Sequence, residues 1–145
     1  MAANSRLTIA VHALAWLALA EQRGHPTLTS EQVAASVNTN AVVLRRCLGD
    51  LGRAGLVTAR RGRHAGWSLR HRPERITVLD VFDAVESEPL FALHSSEPNL
   101  ECPVGRGIRP ALDQVYRRAT DVLRQELSQI TIVDVLTDTL AARSA

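Results

Sequence analysis

The chain has 145 residues, 46% of them apolar, and a net charge of only +2, which suits one domain, or a small domain with an arm, able to bury a core. Two cysteines, Cys47 and Cys102, exclude a disulfide framework and a four-cysteine zinc site, and such sparing use suits a reducing cytoplasm. All seventeen basic residues are Arg and they are unevenly spread: residues 41–75 hold nine against Asp50 and Glu74, a net +7, so the rest of the chain carries −5.

In chain order, the first helix is expected from about Ser5 to Gln22, with Asn4 or Ser5 as its cap. Leu7–Ala20 is apolar enough to suggest a signal peptide, and Ala18-Leu19-Ala20 mimics a cleavage site. The run is too short to span a bilayer, and Arg6 alone makes a weak positive region, so a buried first helix is the expectation. His12 reads as a satisfied histidine rather than a ligand. After the loop Arg23–Pro26, Thr29 or Ser30 caps a second helix, with Gln32 placed for a capping box, and Val33, Ala34 and Val37 form its apolar face. Asn38-Thr39-Asn40 breaks the chain and caps a third helix from Ala41. Its apolar positions Val43, Leu44, Cys47, Leu48 and Leu51 follow helical spacing, Gly55 stops it, and Arg45, Arg46 and Arg53 occupy the other face. Leu56, Val57, Trp67 and Leu69 then alternate on either side of Arg60-Arg61-Gly62-Arg63-His64, as in a hairpin with a cationic tip.

Helix, turn, helix and basic hairpin is the pattern of a winged helix-turn-helix, with one helix sized for a major groove and hairpin arginines placed for phosphates or a minor groove. The concentration of charge in the same segment is the electrostatic footprint of a nucleic-acid-binding face. The expected contacts to double-stranded DNA are Thr29, Ser30, Thr39, Asn40, Ala41, Val42, Arg45, Arg46, Arg60, Arg61, Arg63 and His64.

Beyond Pro73, Val78, Leu79, Val81, Phe82 and Val85 give a short helix packed back on the first. Residues 87–103 carry Pro89, Pro98 and Pro103 without a clear period and read as a connector. Ile108, Leu112, Val115, Ala119 and Val122 then repeat at spacings of 4 and 3, the seam of a coiled-coil-like helix, widened by Tyr116, Leu123 and Leu127. Pro110 either opens this helix or kinks it. Thr131 caps a last short helix. A stripe this wide exceeds what one small core needs, so Ile108, Leu112, Val115, Ala119, Val122 and Leu123 are expected to make a homodimer, as reading a palindromic operator requires. The fold class expected is mainly α with a small β-hairpin: a DNA-binding domain over 1–87, a connector over 88–103, and the dimerisation and last helices over 104–145.

The run LRRCLGDLGRAGLVTARRGRHAGW, followed by ITVLDVFDAVESEPLF and CPVGRGI, resembles the Rrf2 family of bacterial transcriptional regulators, and the resemblance covers nearly the whole chain. It implies a dimeric winged-helix protein, in most members a repressor, with a long helix crossing to the partner. It also places Thr39 to Arg46 at the exposed start of the recognition helix and Arg60 to Trp67 on the wing. Two departures stand out. The family's wing usually reads Arg-Gly-Pro-Gly-Gly-Gly before an aromatic, whereas here Arg61-Gly62-Arg63-His64-Ala65-Gly66-Trp67 trades glycine for charge, which implies stronger phosphate or minor-groove contact. Many members also hold an iron–sulfur cluster on three connector cysteines. This connector has only Cys102, a cluster needs several thiolates, and His94, Glu97 and Glu101 are poor replacements, so no cofactor is expected.

Cys102 remains a candidate one-thiol sensor, since a helix start just after it lowers a thiol pKa while Glu97 and Glu101 oppose that; the effector is otherwise open. Catalysis finds no support: there is no Gly-x-Ser-x-Gly, phosphate-binding loop or His-Glu-x-x-His. Gly105-x-Gly107 is followed by Pro110 where a dinucleotide fingerprint needs its third glycine. A winged helix serving only protein contacts is the other reading, and it would not need nine arginines.

Overall fold

The computed structural model describes residues 4 to 144. Helix α1 (Arg6–Gln22) is free of Gly and Pro and apolar nearly all round, so it can only be central. Ala10, Ala13, Leu14, Leu17, Ala18 and Ala20 are buried. Asn4 rather than Ser5 supplies the start signal, its Oδ1 accepting from the Arg6 backbone N–H at 2.9 Å. Among the described residues no helix is long and apolar enough to cross a membrane.

Helix α2 (Ser30–Val37) opens with the full capping box. Thr29 Oγ1 accepts from the Gln32 N–H at 3.1 Å, and the Gln32 side chain accepts from the Thr29 N–H at 2.8 Å. Asn38 then turns the chain in the left-handed region at φ 61°, a conformation that Asn tolerates well. Helix α3 (Ala41–Arg53) starts on the Asn40 side chain, which accepts from the Val42 N–H at 2.7 Å. It ends in a Schellman motif: Gly55 at φ +79° donates to Gly52, Leu56 donates to Leu51, both at 3.0 Å, and Leu51 and Leu56 are both buried. The buried face of α3 is Leu44, Cys47, Leu48 and Leu51; Val43, expected with them, is 45% exposed. Position 43 lies a turn-edge away from the Leu44–Leu48–Leu51 line, so the apolar arc inferred from spacing was one residue too wide.

Strands β1 (Val57–Arg60) and β2 (Gly66–Leu69) pair antiparallel, Val57 opposite Leu69 and Arg60 opposite Gly66. After a single 3₁₀ turn at Pro73–Arg75, α4 (Val78–Val85) begins with a second capping box, Thr77 with Asp80. Helix α5 (Pro103–Ser128) runs 26 residues with Pro at its first position and Pro110 inside it. It therefore opens on Pro103, and at Pro110 the Arg106 carbonyl loses its i+4 donor. Helix α6 (Ile132–Ala141) opens with a third box, Thr131 with Asp134.

Two compact units result: the chain up to Ser87 together with Ser128 onward, and Glu88–Leu127. The last helix, expected beside the long one in a segment over 104–145, packs within the first unit. Ile132 and Leu136 are buried in the core around α1, and the start of α6 is bonded to the start of α4: Val78 N–H to Ile130 O at 2.8 Å and Ile132 N–H to Ile76 O at 2.9 Å. In this first unit α1 touches α2, α3, α4, α6 and β2. His12 is exposed and hydrogen-bonded to Ser36 at 2.9 Å. In the second unit the connector lies along α5, with Arg109 donating to the carbonyls of His94 and Ser96 at 2.7 and 3.0 Å and Phe91 stacked on Tyr116 at 5.0 Å.

Candidate nucleic-acid interface

Two elements of the first unit present the basic segment. On α3, Val42, Arg45 and Arg46 are exposed and Ala41 is half-buried, beside the exposed Asn40 and the half-buried Thr39. The Asn40 side chain is already spent on the cap, so what it offers a partner is what remains after holding Val42. Arg45 is ion-paired at 3.1 Å with Glu31 on α2, and that contact, with a backbone hydrogen bond as the larger cause, holds the Glu31 carboxyl below the ordinary range. Arg46 forms no ion pair among the described residues.

On the hairpin, Arg60, Arg61, Arg63 and His64 are all exposed. Gly62 at φ +75° and His64 at φ 61° turn the tip, closed by Ala65 N–H to Gly62 O at 3.1 Å. Of the nine arginines in 41–75, Arg45, Arg53 and Arg72 pair with Glu31, Asp50 and Glu74. Among the described residues Arg46, Arg60, Arg61, Arg63, Arg70 and Arg75 pair with no acid. The planar guanidiniums without an acid partner, Arg46 on α3 and Arg60, Arg61 and Arg63 on the hairpin, have the fork geometry that suits bidentate contacts to phosphate or guanine.

Two of the expected contact residues have their side chains engaged within the fold. Ser30 is buried, and its hydroxyl accepts from the Trp67 indole at 3.1 Å; it ties the wing to α2 instead of standing free. The Thr29 hydroxyl and N–H are both committed to the capping box. The residues that position the wing went unnoticed in the sequence. Leu28 and Trp67 exchange main-chain bonds of 3.1 and 2.8 Å, and Thr27 Oγ1 donates to the His64 carbonyl at 2.8 Å. Only the Trp67 indole, an aromatic with a polar handle that seeks a partner when half-buried, hinted at this docking.

Comparison with known proteins decides what such a face belongs to. Residues 3–138 match the Rrf2 family profile, described as an iron-dependent transcriptional regulator. The chain belongs to the Rrf2 family. It is similar to the HTH-type transcriptional regulator YwnA of Bacillus subtilis, 40% identical over 134 residues, 92% of this chain and 96% of that protein. A crystal structure described as a DNA binding protein superposes with a TM-score of 0.72 at 34% identity, covering 91% of this chain and 99% of the other. IscR of T. potens shares the fold, with a TM-score of 0.74 at 21% identity over 100% and 93% of the two chains. This Rrf2 protein is thus a DNA-binding transcriptional regulator and not an enzyme.

The donor set does not fit an iron–sulfur cluster. Cys47 is buried in α3 while Cys102 is exposed ahead of α5, and among the described residues no three His, Cys, Asp or Glu side chains gather to hold a metal. The two thiols differ in chemistry. Burial, aided by Asp50, pushes the Cys47 thiol up to about 11. Backbone N–H groups of Gly105 and Val104, at the first turn of α5, hold the Cys102 thiol below its ordinary value. Of the expected dimer seam, Ile108 (37%), Val115 (55%), Val122 (68%) and Leu123 (37%) are well exposed, Ala119 is exposed and Leu112 half-buried; α5 buries no residue in the single chain.

Proposed function

We propose that this Rrf2-family regulator is a homodimeric repressor that acts in the cytoplasm on a palindromic operator in double-stranded DNA. The observation that carries the reading is the set of unpaired arginines on α3 and the hairpin. Arg46, together with Thr39, Asn40 and Arg45, reads base edges in the major groove, where the thirteen-residue α3, about 20 Å long, fits lengthwise. Arg45 exchanges Glu31 for DNA at small cost, because an exposed ion pair contributes only about 0–1 kcal/mol. Arg60, Arg61, Arg63 and His64 hold phosphates or enter the minor groove and set the register.

The seam of α5 supports the dimer. A helix that leaves Val115 and Val122 more than half exposed gains stability by laying that stripe against a second copy, and a two-fold dimer presents two α3 helices to two half-sites. Fluorescence anisotropy with DNA from upstream of the protein's own gene, beside a random duplex and across a salt series, tests the reading. Affinity should prefer the upstream DNA and fall steeply as salt rises. Equal, salt-insensitive binding to both duplexes would leave the protein-interaction reading of the winged helix instead.

A second reading concerns the signal. Cys102 is exposed, and its thiolate is favoured by two backbone N–H groups, which suits a one-thiol sensor of oxidants or electrophiles. Peroxide should lower operator affinity in the wild type and leave Cys102→Ser unchanged; equal loss in both would dismiss it.

A further inference from the structure

A cavity of about 360 Å³ lies between α1, α3 and α4, at the lower end of the range of small-ligand pockets. Its floor is apolar: Ile9, Val43, Val85 and the Cys47 thiol, which stays protonated in this setting. Its rim carries Arg6, Arg46 and Asp50. Asp50 is ion-paired with Arg53, while among the described residues neither Arg6 nor Arg46 forms an ion pair of its own. Arg6 is also held in place. Its Nε donates to Asn4 Oδ1 at 3.3 Å, and Asn4 in turn donates to both Glu86 carboxylate oxygens at 3.0 and 2.8 Å. Val43, apolar yet 45% exposed, is the surface that an occupant would cover.

We propose that this cavity is the effector site, taking a small organic carboxylate whose apolar body rests on Ile9, Val43 and Val85 and whose carboxylate bridges Arg6 and Arg46. An apolar lining beside two guanidiniums that have no ion-pair partner among the described residues is what such a molecule requires, and neither an uncharged hydrophobe nor a bare inorganic anion would use both halves. The inference rests on the reading that Arg46 contacts DNA: the ligand and the operator then compete for one side chain, so the carboxylate releases the DNA.

The probes are octanoate and benzoate, with 1-octanol and benzyl alcohol as uncharged controls, on the full-length protein. Without DNA, each carboxylate in large excess over its Kd should raise Tm by about a few degrees. The alcohols should not. Arg6→Gln, at an exposed position, and Val43→Glu, which puts a like charge in the cavity, should each abolish the shift. With operator present, a saturating carboxylate should weaken DNA binding at least tenfold in the wild type and leave Arg6→Gln unaffected. No Tm shift with either carboxylate, or one matched by the alcohols, overturns the site. A specific shift that leaves DNA affinity intact overturns the shared use of Arg46. Because the Tm arm contains no DNA, failure of the DNA-binding reading shows separately, as absent operator binding in every sample.

Discussion

Replacing Gly66 with Ala should loosen the wing more than any other single methyl in the hairpin. Gly66 sits at φ +144°, and a Cβ there would lie 2.6 Å from the Leu28 carbonyl oxygen and 2.9 Å from its carbon, so the segment at Leu28 must retreat by several tenths of an ångström. Retreat stretches the bonds between Leu28 and Trp67, at 3.1 and 2.8 Å, each contributing about 0.5–1.5 kcal/mol. The strained backbone adds about 1–3 kcal/mol. The segment before α2 can relax outward, which brings the expected loss to about 2–4 kcal/mol, a large part of a stability of about 5–15 kcal/mol. Gly62→Ala is the control. It also has a positive φ, +75°, but nothing lies within 4 Å of its Cβ position, so it should cost only about 1–2 kcal/mol. Urea unfolding of both variants measures the difference, and anisotropy should show Gly66→Ala weakening all DNA sequences alike as the arginine tip drifts. Equal urea midpoints for the two variants would refute the argument that close approach to Leu28 is what demands glycine.

Arg46→Ala should cost about 1–3 kcal/mol on the operator and relax specificity at one base pair, whereas Arg63→Ala should weaken operator and random DNA similarly and flatten the salt slope; competition binding on single-base operator variants separates them. Val122→Asp, which puts a charge on the most exposed apolar position of α5, should shift sedimentation from dimer toward monomer without changing helicity, and an unchanged dimer would place the interface elsewhere. Stability should also depend on Cys47. Its thiol ordinarily titrates near 9 and is pushed up to about 11 in the folded chain, so between those values the folded state holds the proton more often than the unfolded state does, and stability falls as pH rises through that window. Cys47→Ala should be less stable throughout but lose this slope, as urea midpoints across alkaline pH would show.

Local chemistry wrote the starts and stops of helices plainly. The box of Thr29 with Gln32, the Asn40 cap and the Gly55 stop each act within four residues and appear where expected. The hairpin and the charge on it were equally readable. Pairings between distant segments were not: nothing near Leu28 in sequence says that it bonds to Trp67, and nothing near Ser30 says that its hydroxyl meets that indole from 37 residues away. The same holds for α6. Ile132 and Leu136 mark an apolar face, but periodicity cannot say which core that face joins. Val43 shows the complementary failure, a β-branched apolar residue at plausible spacing left exposed. By the reading above, exposure there belongs to binding rather than to packing.

The docking of α6 beside α4 has a consequence for how the protein is made. Its core includes side chains contributed near the end of the chain, and the bonds joining Ile130 and Ile132 to Val78 and Ile76 cannot form until those residues exist. On a ribosome, where domains generally close in the order they emerge, α3 and the hairpin would leave first yet wait with a gap beside α1. The long helix, by contrast, is already complete. A nascent chain therefore carries an exposed apolar stripe before it carries a finished first unit, and a fragment cut at residue 87 would inherit that gap permanently.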